Sequence, residues 1–211
     1  MKVDHFMYAV ASMDQGIAWA ESVFGVRPIA GGAHKGLGTR NALLAFDSSY
    51  LEIIAPDPAQ SLAGTLGEKL AALNSGGLVT WAAASDLART KSQLANEKVA
   101  CAGPIETKRQ QPDGENLVWQ LLFPQSGLYG MPFFIDWMAC TNPRFTSPKA
   151  GKVQQFTLHS PGANSLQRIF HTLGLKPAVS EGAANLNLIV DSPNGVVEIT
   201  ATDETRNLMI N

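Results

Sequence analysis

The sequence predicts an α+β protein made of a repeated βαβββ unit, and three observations carry that expectation. The chain opens on a strand, Val3-Asp4-His5-Phe6-Met7-Tyr8-Ala9-Val10, apolar except where Asp4 and His5 are set into it. A helical periodicity and three further strand-like runs follow before residue 60. The same succession then returns twice, which argues for stacked equivalent modules rather than one irregular fold.

In the first unit, residues 1–60, Ser12-Met13-Asp14-Gln15 has the form of a capping box, since a Ser hydroxyl and a Gln three residues on satisfy two free amides at a helix start. Ile17, Ala20 and Phe24 then share one helical face, and Gly25 is placed to end the helix in a left-handed turn. Val26-Arg27-Pro28 leads away as a strand. Gly31-Gly32-Ala33-His34-Lys35-Gly36-Leu37-Gly38-Thr39 is too rich in glycine for a regular element and is expected as a loop. Asn41 to Phe46 and Tyr50 to Ala55 form a hairpin around Asp47-Ser48-Ser49.

A connecting helix over about Leu62 to Leu73 leads to the second unit, residues 76–140. Its strand runs from Leu78 to Ala84, Asp86 caps a helix to about Glu97, Gly103-Pro104 makes a turn, and strands follow at Ile105–Gln110, Leu117–Phe123 and Met131–Trp137. The middle hairpin breaks at Pro112-Asp113-Gly114. Val79 or Trp81 stands where His5 stood, and Asp136 is the one carboxylate near the place of Glu52. Thr141 to Gly151 has linker composition. The third, shorter unit, 152–205, repeats the first closely: Gln154-Gln155-Phe156 answers Asp4-His5-Phe6, Leu173-Gly174-Leu175-Lys176-Pro177 answers Phe24-Gly25-Val26-Arg27-Pro28, and Val197-Glu198-Ile199 answers Leu51-Glu52-Ile53.

Composition narrows the function. With 45% hydrophobic residues, 16% charged and a net charge of −2, the chain has no basic field to hold nucleic acid or an anionic membrane. No apolar run approaches the roughly 20 residues of a membrane span, and no secretory leader precedes the first strand. Cys101 and Cys140 form neither a CxxC nor a disulfide framework, so a reducing cytoplasm fits best. The expected partner is a small molecule, with a homodimer left open.

His5 and Glu52 are the residues that need explaining. An ionised carboxylate among Leu51, Ile53 and Ile54 is costly unless a metal ion or a buried partner neutralises it. The structural alternative is a core histidine with a hydrogen-bond partner and a Glu52 paired with Arg40 or another cation. His34, beside the glycines, suits an acid, a base or a substrate contact, or is a plain surface-turn histidine. Arg40 and Asn41, with Lys35, could recognise an anionic group, or be solvated charges next to a turn. His159 shares the strand parity of Gln155, while His171 falls within a helix. The glycine segment lacks the GxxxxGK[ST] order, which argues against nucleotide binding.

The Asp4-His5 strand, His34-Lys35-Gly36-Leu37-Gly38-Thr39-Arg40-Asn41, Tyr50-Leu51-Glu52-Ile53-Ile54-Ala55-Pro56 and Pro132-Phe133-Phe134-Ile135-Asp136-Trp137 together resemble the vicinal-oxygen-chelate superfamily, and within it the glyoxalase-like proteins. The resemblance covers about residues 3 to 138, with 153 to 201 as a further module. It implies paired βαβββ modules whose curved mixed sheets form a cup, with a divalent metal often held inside by residues from the first and last strand of each module. Carried onto this chain, the ligands would be His5 and Glu52, completed by Gln155 and Glu198 in a Gln/His plus two-Glu set. Such a set suits Zn, Ni, Co, Mn or Fe. The resemblance further implies lyase, isomerase or dioxygenase-type chemistry on a small oxygenated substrate, with Glu52 and His34 as catalytic groups and Arg40 and Asn41 as substrate contacts. The alternative class is a cup that binds or sequesters a small molecule without chemistry. Which two modules close the cup is not decided by the sequence.

Overall fold

The computed structural model describes residues 1–110 and 116–208. Eight strands form one mixed sheet. Those of the first unit are β1 (Lys2–Ala9), β2 (Ile29–His34), β3 (Thr39–Ala45) and β4 (Tyr50–Pro56); those of the second are β5 (Gly77–Ala84), β6 (Cys101–Gln110), β7 (Asn116–Pro124) and β8 (Phe133–Asp136). Their spatial order is β2-β3-β4-β1-β5-β8-β7-β6, so the adjacent units pair through β1 and β5. Laid flat, the edge strands would lie roughly 33 Å apart at about 4.8 Å per strand. Instead β2 and β6 touch, so the sheet curls into a cup.

The curl separates two apolar faces. On the outside, Phe6, Leu44, Leu51, Ile53, Trp81 and Phe134 pack beneath α1 (Met13–Phe24) and α3 (Leu87–Asn96). Inside the cup lie Met7, Ile54, Val79, Trp119, Phe133 and Ile135, with Leu70 of α2 (Leu66–Ala71) against them. Gly25 ends α1 at a φ of 73°, and the Asp86 carboxylate accepts from the Arg89 amide to cap α3, both as the sequence predicts. Ser12 has the extended N-cap backbone, but its side chain makes no cap hydrogen bond. Gly103 and Pro104 sit in a register shift within β6 rather than in a turn, and Pro112-Asp113-Gly114 lies outside the described residues.

The glycine-rich segment is mostly strand. Residues 31–34 belong to β2, and only 35–38 form the turn to β3. A Cβ on Gly31 would stand 2.1 Å from Asn41 Oδ1, so glycine is required there to let β2 close over the Asn41 side chain.

The third unit builds its own sheet from β9 (Lys152–Ser160), β10 (Ala178–Glu181), β11 (Asn185–Ser192) and β12 (Gly195–Thr200), crossed by α4 (Ala163–Leu173), with α5 (Asp203–Arg206) closing the chain. The order of elements repeats that of the first unit, but the pairing does not. In the first unit β1 lies beside β4; here the order is β10-β9-β11-β12, so β11 separates β9 from β12. The connections Gly25–Pro28 and Gly174–Pro177 are alike, so linker length does not decide the difference. The neighbours do: β1 has β5 along its other edge, whereas β9, without a sister module, satisfies its backbone with β10. This sheet packs on the outside of the cup, where Phe156 meets Phe6 and Trp81 edge-on at 4.8 and 5.4 Å and Phe170 meets Trp81 at 5.7 Å.

The segment expected as a linker is pinned down. Ala45 donates to Pro148 O at 2.8 Å and Ala150 donates back to Ala45 O at 2.8 Å, so 141–151 straps across the β3 end of the cup.

Candidate functional site

A bulge creates the site. Along β1 and β5, Val3 faces Ala83 and His5 faces Ala82, which leaves Asp4 as an extra residue. Strict alternation would turn Asp4 and His5 to opposite faces; the bulge lets both side chains meet instead. His5 Nδ1 lies 2.8 Å from Asp4 Oδ1, with Asp4 and His5 only 4% and 3% exposed. The other Asp4 oxygen accepts from Asn142 Nδ2 at 2.7 Å and from Trp137 Nε1 at 3.1 Å, so the strap and the end of β8 both bind into the first strand.

On the far side of the imidazole, His5 Nε2 stands 3.3 Å from Glu52 Oε2. Glu52 comes from β4, where Met7 of β1 is its neighbour and Tyr50 precedes it on the same face. Tyr50 stacks on the His5 ring at 4.7 Å and Phe133 meets it edge-on at 5.4 Å, which fixes the plane of the imidazole. Glu52 Oε1 accepts from Asn41 Nδ2 at 2.6 Å, and His34 Nε2 lies 3.5 Å from the same oxygen. Asn41 is itself held, because Gly32 N donates to its Oδ1 at 2.8 Å. His34 Nδ1 contacts Thr39 Oγ1 at 3.0 Å, and its side chain, 18% exposed, is the most open of the cluster.

The carboxylates of Asp4 and Glu52 therefore flank one imidazole. Each His5 nitrogen thus faces a carboxylate oxygen, a contact that a hydrogen between the two atoms satisfies. Glu52 takes its hydrogen bond from Asn41, not from Arg40. Arg40 alternates to the other face of β3, where its Nε is buried without a hydrogen-bond partner among the described residues. There its charge, after the larger effect of the Gln60 hydrogen bond, helps hold the Asp57 carboxyl below its usual range.

The structure thus brings together His5, Glu52, His34 and Asn41, and leaves the other expected residues elsewhere. Gln155 and Glu198 are exposed on the second sheet, Gln155 and Glu198 each facing Ile189 from opposite sides of β11. Glu198 accepts from Asn187 Nδ2 at 2.6 Å. That sheet packs on the outside of the cup through Phe156, so the four-residue metal set implied by the resemblance is not assembled. His159 contacts Ser180 Oγ at 2.9 Å, also on the second sheet.

The pairing of adjacent units offers a second test of a metal set. Phe6 faces Trp81, and about this pair His5 opposite Ala82 exchanges with Met7 opposite Thr80. His5 therefore corresponds to Thr80, not to Val79 or Trp81, and the bulge residue Asp4 to Val79. Met7 lies beside Glu52 and its counterpart Ala82 beside Phe133, so Phe133 takes the place of Glu52. Asp136 lies three residues further on, where it accepts from Met138 N at 2.8 Å. The paired positions thus add a hydroxyl and a phenyl ring to one imidazole and one carboxylate, and the donors do not fit the metal that the superfamily often carries. Among the described residues no three His, Cys, Asp or Glu side chains are grouped to hold an ion.

Asp4, Trp137 and Asn142 are the site residues that reading the sequence does not single out. An Asp immediately before the strand histidine is the available signal, but it is legible only if the bulge is known. Asn142 lies in a stretch whose composition says linker.

Two βαβββ units joined edge to edge through their first strands, with a histidine and a carboxylate inside the curl, define a member of the vicinal-oxygen-chelate superfamily. A family model described as a glyoxalase-like domain matches residues 3–174, and the chain belongs to that family. Among solved structures it is similar to a hypothetical protein from Staphylococcus aureus, with a TM-score of 0.67 at 18% identity over 95% of this chain and 88% of that one. A hypothetical protein from Bacillus halodurans matches with a TM-score of 0.50 at 15% identity over 66% and 96%. Methylmalonyl-CoA epimerase from Mycobacterium tuberculosis matches with a TM-score of 0.45 at 22% identity over 64% and 85%. The 95% coverage by the Staphylococcus aureus protein extends the shared fold to the third unit. No curated protein sequence matches. Among the described residues no helix is long and apolar enough to cross a membrane.

Proposed function

We propose that the protein is an enzyme that moves a proton at a carbon next to a carbonyl group of a small oxygenated substrate, in an isomerase- or lyase-type reaction, with Glu52 as the acid–base group. The observation that carries this reading is the buried Glu52 carboxylate flanked by His5 Nε2 at 3.3 Å, Asn41 Nδ2 at 2.6 Å and His34 Nε2 at 3.5 Å. A base held in an apolar cup with a proton carrier behind it is what carbon deprotonation requires. Glu52 takes the proton, the C–H electron pair becomes a carbon–carbon π bond as the carbonyl π pair shifts onto its oxygen, and His34, the most open of the four, donates a hydrogen bond to that oxygen. Return of the proton to the same or a neighbouring atom completes the turn. Trp119, Trp137, Phe123 and Phe133 line the cup, which favours a substrate whose body is apolar and whose reacting end carries the oxygens. No step runs through a metal ion.

The test is deuterium uptake from D₂O by a panel of small 2-hydroxy ketones, 2-oxo acids and 1,3-dicarbonyl compounds, followed by proton NMR. Exchange that the wild type catalyses and Glu52→Gln does not is the expected result. The aromatic wall also suits a cup that only sequesters its ligand; that reading takes over if panel members raise the melting temperature without exchanging any proton.

A further inference from the structure

Resting on the reading of Glu52 as the acid–base group, we propose that Asp4 is a positioning residue that fixes the tautomer of His5, and that Asn142 and Trp137 hold Asp4 to this task from the other end of the chain. The four groups form one line. Asn142 Nδ2 and Trp137 Nε1 both donate to Asp4 Oδ2, at 2.7 and 3.1 Å. Asp4 Oδ1 is thereby left facing His5 Nδ1 at 2.8 Å. A carboxylate with two donors on one oxygen keeps its other oxygen as an acceptor, so Nδ1 carries the hydrogen and Nε2 is turned to Glu52 Oε2.

Two consequences follow for the site. Nε2 becomes the nitrogen that faces Glu52 Oε2, while Glu52 Oε1 takes the Asn41 amide and lies toward His34. Catalytic geometry in the first half of the cup also depends on residues 133 and 138 positions away from Asp4, one at the end of the second half and one in the strap. Val79, at the matching bulge of β5, can do nothing of the kind for Thr80.

The experiment reads the His5 ring directly by long-range nitrogen–proton NMR of uniformly labelled protein, which distinguishes a proton on Nδ1 from one on Nε2. The chain has four histidines, and the His5 signals are assigned by their loss in His5→Gln. In the wild type the expected proton is on Nδ1. Asp4→Asn presents an amide donor to Nδ1, so the proton moves to Nε2; the same inversion is what disables an Asp→Asn serine protease triad. Deuterium exchange into substrate then falls by about 100-fold or more. Asn142→Ala combined with Trp137→Phe loosens Asp4 without touching the ring, and yields a mixture of tautomers and an intermediate loss. A wild-type ring protonated on Nε2 alone overturns the proposal, as does a ring unchanged between wild type and Asp4→Asn; if Asp4→Asn does not fold, the double variant decides on the same readout. Failure of the underlying reading looks different. The tautomer inverts as expected, but no carbonyl compound exchanges even with the wild type.

Discussion

Thr80 occupies in the second half of the cup the place that His5 occupies in the first, Val79 the place of Asp4, and Phe133 the place of Glu52. The backbones of the two halves repeat even to the bulge, one on β1 and one on β5, while the side chains at the three positions share no chemistry. Symmetry of the sheet is therefore a property of pairing and curvature, and the site is laid on one half of it. The other half contributes a wall: Phe133 presses its edge on His5, and Trp137 reaches across to Asp4. On the proposed reading, the two halves together exclude water while the first alone carries the acid–base group.

The sharpest way to break the comparison is at Glu52. Glu52→Gln keeps the shape and the Asn41 contact and removes the base, so carbon exchange drops by about 10³-fold or more while the melting temperature shifts by a few degrees at most, read by NMR and by calorimetry. If exchange survives, the chemistry is not on the first half. Giving the second half the missing donors comes next: Thr80→His with Phe133→Glu places two imidazoles and two carboxylates at matching positions, and elemental analysis of the dialysed protein is expected to show about one equivalent of divalent metal, against none in the wild type. Failure to gain metal would mean that the correspondence drawn from strand register is wrong. Phe133→Ala tests the wall alone and costs about 3 kcal/mol in urea unfolding, because it removes a buried ring and leaves a cavity beside His5.

The smallest expected effect concerns the turn that leaves the last strand of the first half. Asp57 accepts from Gln60 Nε2 at 2.8 Å and from Ala59 N at 3.1 Å. The Gln60 bond above all, then the Ala59 amide and the charges of Arg40 and His34, hold its carboxyl below the ordinary 3.8 against the opposing pull of burial. A depressed folded value stabilises the protein above the unfolded one, and the gain is lost as pH falls through the folded value. Asp57→Asn is thus expected to cost about 1 kcal/mol at neutral pH and progressively less in acid below 3.8, by urea melts at stepped pH. A cost that does not shrink in acid would show that the Asp57 charge plays no part.

Much of this was open to reading from the residues. Hydrophobic period and glycine placement locate α1, α3 and the strands β1, β3 and β4, because those signals are local, whereas Val26-Arg27-Pro28 is not a strand and β2 runs over Ile29–His34 instead. His5 and Glu52 stand out because a polar group inside an apolar strand has few explanations, and they do meet. What escaped depends on contacts far apart in sequence. Gln155 and Glu198 match His5 and Glu52 in local sequence, but β11 comes between their strands, and strand order is decided by which neighbours are available. Asp4 faces inward only because β1 gains a residue on β5, and Asn142 reaches it across 138 positions. Gly31 and Gly32 suggest a loop, whereas both lie in β2, where Gly31 leaves room for the Asn41 side chain and the Gly32 amide donates to it.

Trp81 is fully buried, with Phe6 beneath it in the register and Phe156 and Phe170 against its edges, and its indole nitrogen donates to Gly130 O at 2.9 Å. Cutting the chain after the strap to obtain a minimal cup would strip one side of this indole and bare an oily patch at the seam where the two halves join. The product to expect is an insoluble fragment, not a smaller folded cup. The added sheet acts as a buttress to the seam, and grafting this cup onto another scaffold would have to bring a substitute for it.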